Sequence, residues 1–224
     1  MKILIVSDEE CRSLWDYYTP GKLSKYDLIL SSGDLKAEYL SFLVTMARCP
    51  LFYVHGNHDT GYAQSPPEGC DSIDGKLIVY KGLRILGLGG SRRYSGGQHQ
   101  YTERQMEKRI RKLKWAIQIA GGVDIVLTHT APSGVGDLDG QSHRGFEAFL
   151  PLIDSCHPKY LFHGHVHLNY DHTIRRKRQY GGTTVINCWE KYELDYDFPL
   201  EPAYISPLKR WLCRLFVQEL QIIN

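Results

Sequence analysis

The 224-residue chain is short of several things at once. No stretch approaches the roughly 18 consecutive apolar residues that a membrane helix needs. Neither sign of charge dominates: 27 Lys and Arg face 25 Asp and Glu, a formal net charge of +2. Affinity for nucleic acid through counterion release rests on a larger basic excess, so there is no strong nucleic-acid signal. The six cysteines (Cys11, Cys49, Cys70, Cys156, Cys188, Cys213) form no C-x-x-C pair. They read as free thiols of a reducing compartment, most of them small buried hydrophobes. No internal repeat, low-complexity tract or Pro/Gly/Ser linker divides the chain, so residues 1–224 are expected to form a single domain. The opening Met1-Lys2-Ile3-Leu4-Ile5-Val6 is too short for a secretory signal, and acidic residues follow it without a small-residue cleavage site. It reads as a first strand, and the protein as cytoplasmic.

What is present is ordinary in bulk and unusual in one residue. Apolar residues make up 42% and aromatics 12%, enough to build a packed core. There are ten histidines, and histidine is both the commonest metal ligand and the side chain that titrates near neutrality. Strand candidates are the short apolar runs 2–6, 27–30, 51–54, 76–80, 83–88, 124–128, 159–163 and 183–187, as in sheets buried on both faces. Lys81-Gly82 reads as a two-residue hairpin turn.

Helical spacing appears three times. Leu35, Tyr39, Phe42, Leu43 and Met46 mark a helix over 35–47. Met106, Ile110, Leu113 and Ile117 mark one over 102–119, opened by a Thr102/Gln105 capping box and ended at Gly121-Gly122. Phe146, Phe149, Leu150 and Ile153 mark 145–155, where Pro151 either kinks the helix or marks its true start. Strands interleaved with helices, and at least one hairpin, give an α/β protein with mixed sheets covered by helices.

Polar clusters follow the strands, where a parallel sheet delivers its loops to one edge. They are Asp8 and Glu10, Gly33-Asp34, Gly56-Asn57-His58-Asp59, His129, and Gly164-His165-Val166-His167. Each alone has an ordinary reading: a turn, an αL asparagine, a hydrogen-bonded core histidine. The H-x-H pair puts two imidazoles on one face of a strand end. Five such clusters in series point to a metal site.

In this order the motifs resemble the metallophosphoesterase superfamily, also called calcineurin-like phosphoesterases, from Asp8 to His167. The resemblance implies a four-layer α-β-β-α sandwich with two mixed sheets and a two-metal site at one edge. The stretch Pro158 to Asn187 further resembles the branch of small bacterial phosphodiesterases that act on cyclic nucleotides, and Gly87-Leu88-Gly89-Gly90-Ser91 resembles a loop that flanks the active site in bacterial members.

Carried over position by position, Asp34 bridges two metals. Asp8, Glu10 and His167 complete the first site, and Asn57, His129 and His165 the second. A water between the ions, acidified to hydroxide, attacks phosphorus. His58 protonates the leaving oxygen or stabilises its charge, and Asp59 orients His58. The family usually has histidine where this chain has Glu10. The first site then holds three carboxylates and one imidazole, which favours Mn²⁺, with Fe²⁺ or Zn²⁺ as alternatives.

The implied activity is a dinuclear-metal-dependent phosphoesterase, a phosphodiesterase rather than a monoesterase, acting on a small phosphoester such as a cyclic nucleotide. The alternatives are a nuclease, a phosphoprotein phosphatase, or a catalytically silent scaffold of the same fold. Arg92 or Arg93 is a candidate to fork onto a phosphate oxygen, and Tyr94 to stack on a base; a solvated loop is the alternative for all three. The run Arg175-Arg176-Lys177-Arg178 reads as an exposed hairpin turn. In the tail, Trp211, Leu215 and Phe216 share a helical face and VQELQII reads as a strand. Segment 203–224 is expected to pack on the body or to form an oligomer contact, a homodimer being the partner considered.

Overall fold

The computed structural model describes residues 1–199 and 218–223. In chain order the first half carries β1 (Lys2–Ser7), β2 (Leu28–Ser31), α1 (Ala37–Ala47), β3 (Leu51–Tyr53), a 3₁₀ turn at Asp59–Ala63 and β4 (Asp71–Ser72). There follow β5 (Leu77–Tyr80), β6 (Leu83–Leu88), β7 (Ser91–Arg92), β8 (Gln100–Tyr101), α2 (Glu103–Ala120) and β9 (Ile125–Thr128). The chain continues with α3 (Phe149–Cys156), β10 (Tyr160–His163), β11 (Lys177–Tyr180), β12 (Thr183–Asn187), β13 (Glu190–Asp195) and β14 (Leu220–Ile223).

Two mixed sheets face each other. One runs β13-β1-β2-β3-β4, parallel except for antiparallel β13. The other runs β11-β12-β10-β9-β6-β5-β14. Its centre, β12-β10-β9-β6, is parallel, and β11 and β5 are antiparallel to their inner neighbours. The layers follow from the period-two geometry of a strand. In β1, Ile3 and Ile5 enter the core between the sheets with Leu28, Leu30, Ile85, Leu127 and Phe162, whereas Leu4 and Val6 face outward onto Tyr39, Leu40 and Leu43 of α1. Likewise Val126 and Leu161 face outward onto Met106 and Leu113 of α2 and Phe149 of α3. Four layers result, helix, sheet, sheet, helix, as the motifs implied.

Local signals place the helix ends. The Thr102 side chain accepts from the Gln105 amide and Gln105 returns the bond, so the capping box forms, and Gly121 closes α2 in the left-handed region. Pro151 sits in the first turn of α3, where its missing N–H has no partner to lose, so the helix begins at Phe149 rather than at 145. Lys81 and Gly82 both take positive φ, 47° and 85°, and turn β5 into β6.

One reading changes, one strand is new and one expected strand forms. The basic run is not the turn of its hairpin: Lys177 and Arg178 belong to edge strand β11, and Gly181-Gly182 make the turn into β12. Strand β13 carries a mostly polar sequence, EKYELD, and escapes a search for apolar runs because only one of its residues is buried. Of the tail, Leu220–Ile223 adds a parallel strand beside β5. The helical face Trp211, Leu215 and Phe216 lies outside the described residues. Among the described residues no helix is long and apolar enough to cross a membrane.

Candidate metal centre

The C-terminal ends of β1, β2 and β3 in one sheet, and of β9 and β10 in the other, meet at one edge. Asp8 follows β1, Asp34 lies three residues past β2, and Asn57-His58-Asp59 follow β3. His129 follows β9, and His165 and His167 follow β10. Asp8, Asp34 and His165 all hold positive φ, at 65°, 57° and 66°. Such backbone costs roughly 1–3 kcal/mol per residue and persists where surroundings impose it. The glycines beside them give the carboxylates room. A Cβ on Gly164 would strike the Asp8 carboxylate, and one on Gly56 would strike Asp34 Oδ1.

At the centre of this edge His129 is fully buried. Its Nδ1–H donates to the Ser32 carbonyl at 2.8 Å, which leaves Nε2 as a bare acceptor. Nε2 then faces Asn57 Oδ1 at 3.1 Å, Asp34 Oδ2 at 3.2 Å and His165 Nδ1 at 3.1 Å. His165 has the mirror arrangement, its Nε2–H donating to the Ser142 carbonyl at 2.6 Å. Unless His129 Nε2 is itself protonated, four lone-pair donors converge there. A cation resolves that repulsion, and two imidazoles, a carboxylate and an amide oxygen suit a borderline divalent transition metal. Burial pushes His129 down, but the Asp34 carboxylate outweighs it and raises the imidazole to about 9. Burial would raise Asp34, but His129 and the His58 amide hold it down to about 2. Burial, then His129, push His165 down to about 3.

The other half is looser. Asp8 accepts the His165 amide on both oxygens, at 2.9 and 3.0 Å, and His167 Nε2 stands 3.9 Å from Asp8 Oδ1. Burial raises the Asp8 carboxyl, and Asp34 adds to the rise against the pull of His129. Glu10 shares a cavity of about 350 Å³ with Asp34, Lys36, His58 and Asp59. Its Oε1 is turned to Lys36, 3.3 Å from the amide and 3.6 Å from Nζ.

The family model of the calcineurin-like phosphoesterases matches residues 1–169, most of the chain. The chain belongs to the calcineurin-like phosphoesterase family. It is 35% identical over 111 residues to UPF0046 protein T07D4.2 of Caenorhabditis elegans, covering 43% of this chain and 26% of that protein. It is 26% identical over 190 residues to the lariat debranching enzyme of Caenorhabditis briggsae, covering 65% of this chain and 35% of that protein. The chain thus spans about a quarter to a third of the length of these two curated relatives. The crystal structure of TT1561 of Thermus thermophilus superposes with a TM-score of 0.57 at 17% identity, covering 84% of this chain and 89% of that one. At that identity the likeness is of fold.

Other residues of this family member take places the motifs do not specify. Asp59, expected to orient the His58 imidazole, spends Oδ2 on two backbone amides instead, Gly56 at 2.7 Å and Asp34 at 2.9 Å. It ties the loops after β2 and β3 together. His58 donates its amide to Asp34 Oδ1 at 2.7 Å and is exposed. Arg92 lies 4.0 Å from both Glu103 and Glu147. Arg93 is exposed, and no side-chain partner of it occurs among the described residues. The Tyr94 hydroxyl accepts from Asn57 Nδ2 at 3.2 Å, and Gln100 Oε1 collects the amides of Tyr94, Ser95 and Gly96 to shape that loop.

Sequence reasoning missed a partly buried ionic hub beside the centre. Asp74 accepts the Gly89 amide at 2.7 Å, pairs with Arg109, and stands 3.4 Å from His55 Nδ1. Arg109 also donates to the Gly89 carbonyl at 2.7 Å. Burial works against the Asp74 charge, but His55 and Arg109 hold it down to about 2. The hub fastens the Gly89-Gly90 loop to the loop that carries Asn57. His55, Asp74 and His99 lie close enough to suggest a second cation site. Two facts oppose it. The His55 and His99 rings stack 4.4 Å apart at 8°, so their in-plane lone pairs run side by side, and Arg109 already supplies the positive charge. Neither Asp74 nor the carbonyls of Ser32 and Ser142 carries a motif that sequence could flag.

Proposed function

We propose that this family member is a dinuclear-metal-dependent hydrolase of small phosphodiesters, cyclic nucleotides among them. The observation that supports it is the convergence of His129 Nε2, His165 Nδ1, Asn57 Oδ1 and Asp34 Oδ2 on one point, with both outer imidazole N–H groups already donated to carbonyls. Asp8, Glu10, Asp34 and His167 would hold one divalent cation and Asp34, Asn57, His129 and His165 the other, Mn²⁺ ahead of Fe²⁺ or Zn²⁺. Bound there, the ions supply Lewis-acid polarisation of the phosphoryl group and a lowered pKa for water.

The chain's own groups do the rest. The Ser32 and Ser142 carbonyls fix the tautomers of His129 and His165, so each presents its unprotonated nitrogen. Asp34 and Asn57 are held in register by Asp59, which bonds the backbone of both loops. His58, exposed and with its amide on Asp34, would hand a proton to the leaving oxygen. Arg93, exposed and free of carboxylates, would take a non-bridging phosphate oxygen.

The test is turnover of bis-p-nitrophenyl phosphate and of a panel of mono- and diesters, 2′,3′- and 3′,5′-cyclic nucleotides included, with Mn²⁺, Fe²⁺ or Zn²⁺. Diesters are expected to turn over fastest with Mn²⁺, and Asp34→Asn to abolish the activity. No cleavage of any ester with any of these metals would leave a silent scaffold. The likeness to a lariat debranching enzyme is what favours the nuclease alternative, and preferential cleavage of an oligonucleotide in the same panel would establish it.

A further inference from the structure

We propose that Tyr170, with His143 at its edge, is a stacking platform for the planar base of a nucleotide whose phosphate sits at the candidate metal centre. The inference rests on the phosphoester reading and adds to it the surface that would hold the base.

Among the described residues five large apolar or aromatic side chains are exposed: Tyr17, Met46, Trp115, Tyr170 and Phe198. Tyr170, at 53% exposure, is the one of these whose ring touches a candidate ligand. One face of its ring lies on the His167 imidazole, centroids 4.8 Å apart and planes 12° from parallel. The His143 ring meets it edge-on at 5.4 Å, and His143 in turn lies 5.5 Å from the His165 ring. The aromatic surface therefore runs from one candidate ligand, His167, to another, His165.

The ring is held there by its backbone, for the Tyr170 amide donates to the His167 carbonyl at 3.2 Å in a tight turn. Trp189 backs His167 from 6.2 Å. The Tyr170 hydroxyl makes no hydrogen bond among the described residues, so its outer ring edge is tied to no other element. An aromatic face left open next to a phosphoryl site, with its other face already supported, is the arrangement in which proteins stack a nucleobase.

Tyr94, the residue that sequence offered for this task, is engaged through its hydroxyl with Asn57 and so is anchored to the metal loop. Stacking reads a π face and not a hydrogen-bond edge. The platform thus separates nucleotides from non-aromatic esters without choosing strongly among bases.

The experiment compares two ligands that differ by the base alone. AMP and ribose 5-phosphate are titrated by equilibrium dialysis into Mn²⁺-loaded wild type, Tyr170→Leu and Tyr170→Phe. Wild type is expected to bind AMP about 5- to 150-fold more tightly than ribose 5-phosphate, the span of base–aromatic stacking. Tyr170→Leu should erase that preference, and Tyr170→Phe should restore it. A Tyr170 that merely shields His167 would instead weaken both ligands together in the leucine variant and leave their ratio untouched. Equal affinity of wild type for the two ligands, no binding of AMP, or a preference that survives in Tyr170→Leu overturns the proposal. The ester screen fails or succeeds separately. A Tyr170-dependent preference for AMP in a protein that cleaves nothing would sink the hydrolase reading and keep the platform.

Discussion

His165 Nδ1 lies 3.1 Å from His129 Nε2, two imidazole nitrogens face to face whose partners across each ring have already given their protons to the Ser142 and Ser32 carbonyls. Two neutral rings so arranged repel, and the Asp34 and Asn57 oxygens on the same point add to the repulsion. A proton or a metal ion is the natural occupant. The two compete, since ligands must be deprotonated to bind a metal.

The competition has a pH signature. His129 is raised from its ordinary 6.5 to about 9, because Asp34 outweighs burial. A group whose folded pKa is raised contributes stability that is complete below the unfolded value and drains as pH rises through the folded one. Metal-free protein should therefore lose thermal stability between pH 6.5 and about 9. Mn²⁺-loaded protein should not, and should release protons on loading at about pH 7.5. Melting curves from about pH 6 to 10, with chelator and with Mn²⁺, decide it; a flat metal-free profile would count against the assignment.

Asp74 tests the hub. Asp74→Asn leaves the partly buried Arg109 guanidinium without its counter-charge, which should cost about 1–3 kcal/mol. Replacing Arg109 by Met in the same chain removes the orphaned charge and should recover part of that loss. Urea unfolding of the two single variants and the double variant measures the coupling. Strictly additive losses would contradict the hub.

Glu10 should tune metal preference rather than stability. Its pair with Lys36 is exposed, with Lys36 72% accessible, and exposed pairs are worth under about 1 kcal/mol. Lys36→Ala should leave the melting temperature nearly unchanged. Glu10→His exchanges a carboxylate for an imidazole and should raise turnover with Zn²⁺ relative to Mn²⁺. The ratio of the two rates is the readout, and an unaltered ratio would place Glu10 outside the metal site.

The two arginines should behave differently. Arg93 is free of carboxylates, so Arg93→Ala should raise KM for a diester by about 10- to 100-fold, the worth of a charge-assisted hydrogen bond. Arg92 faces Glu103 and Glu147, and Glu103 Oε2 is buried with no hydrogen bond. Arg92→Ala should therefore lower stability by about 1–3 kcal/mol and alter KM less. Paired kinetics and denaturation on both variants separate the roles, and equal KM effects would refute the distinction.

Much of the fold was legible because apolar runs of four to six residues declare strands buried on both faces, and a 3.6 period declares α1 and α2. The elements that escaped lack that signal. Strand β13 has one buried residue, and β4, β7 and β8 are two residues long. At the site, each motif could be read off as a strand-end cluster of metal-competent side chains. The partners that orient them could not. Ser32 and Ser142 act through backbone carbonyls, which every residue possesses, and Asp59 acts on the amides of Gly56 and Asp34.

Sequence by itself therefore determined which side chains could hold metal, and in which loops, because ligand chemistry resides in residue type and strand ends deliver loops to one edge. Only tertiary structure decided which way each of them points. Asp59 turned to backbone, Arg92 turned to Glu103 and Glu147, and Tyr170 stayed open beside His167. The physical reason is that orientation is set by what lies across the sheet edge. Those neighbours, such as Ser142 for His165 and Gly89 for Asp74, lie 23 and 15 residues away along the chain.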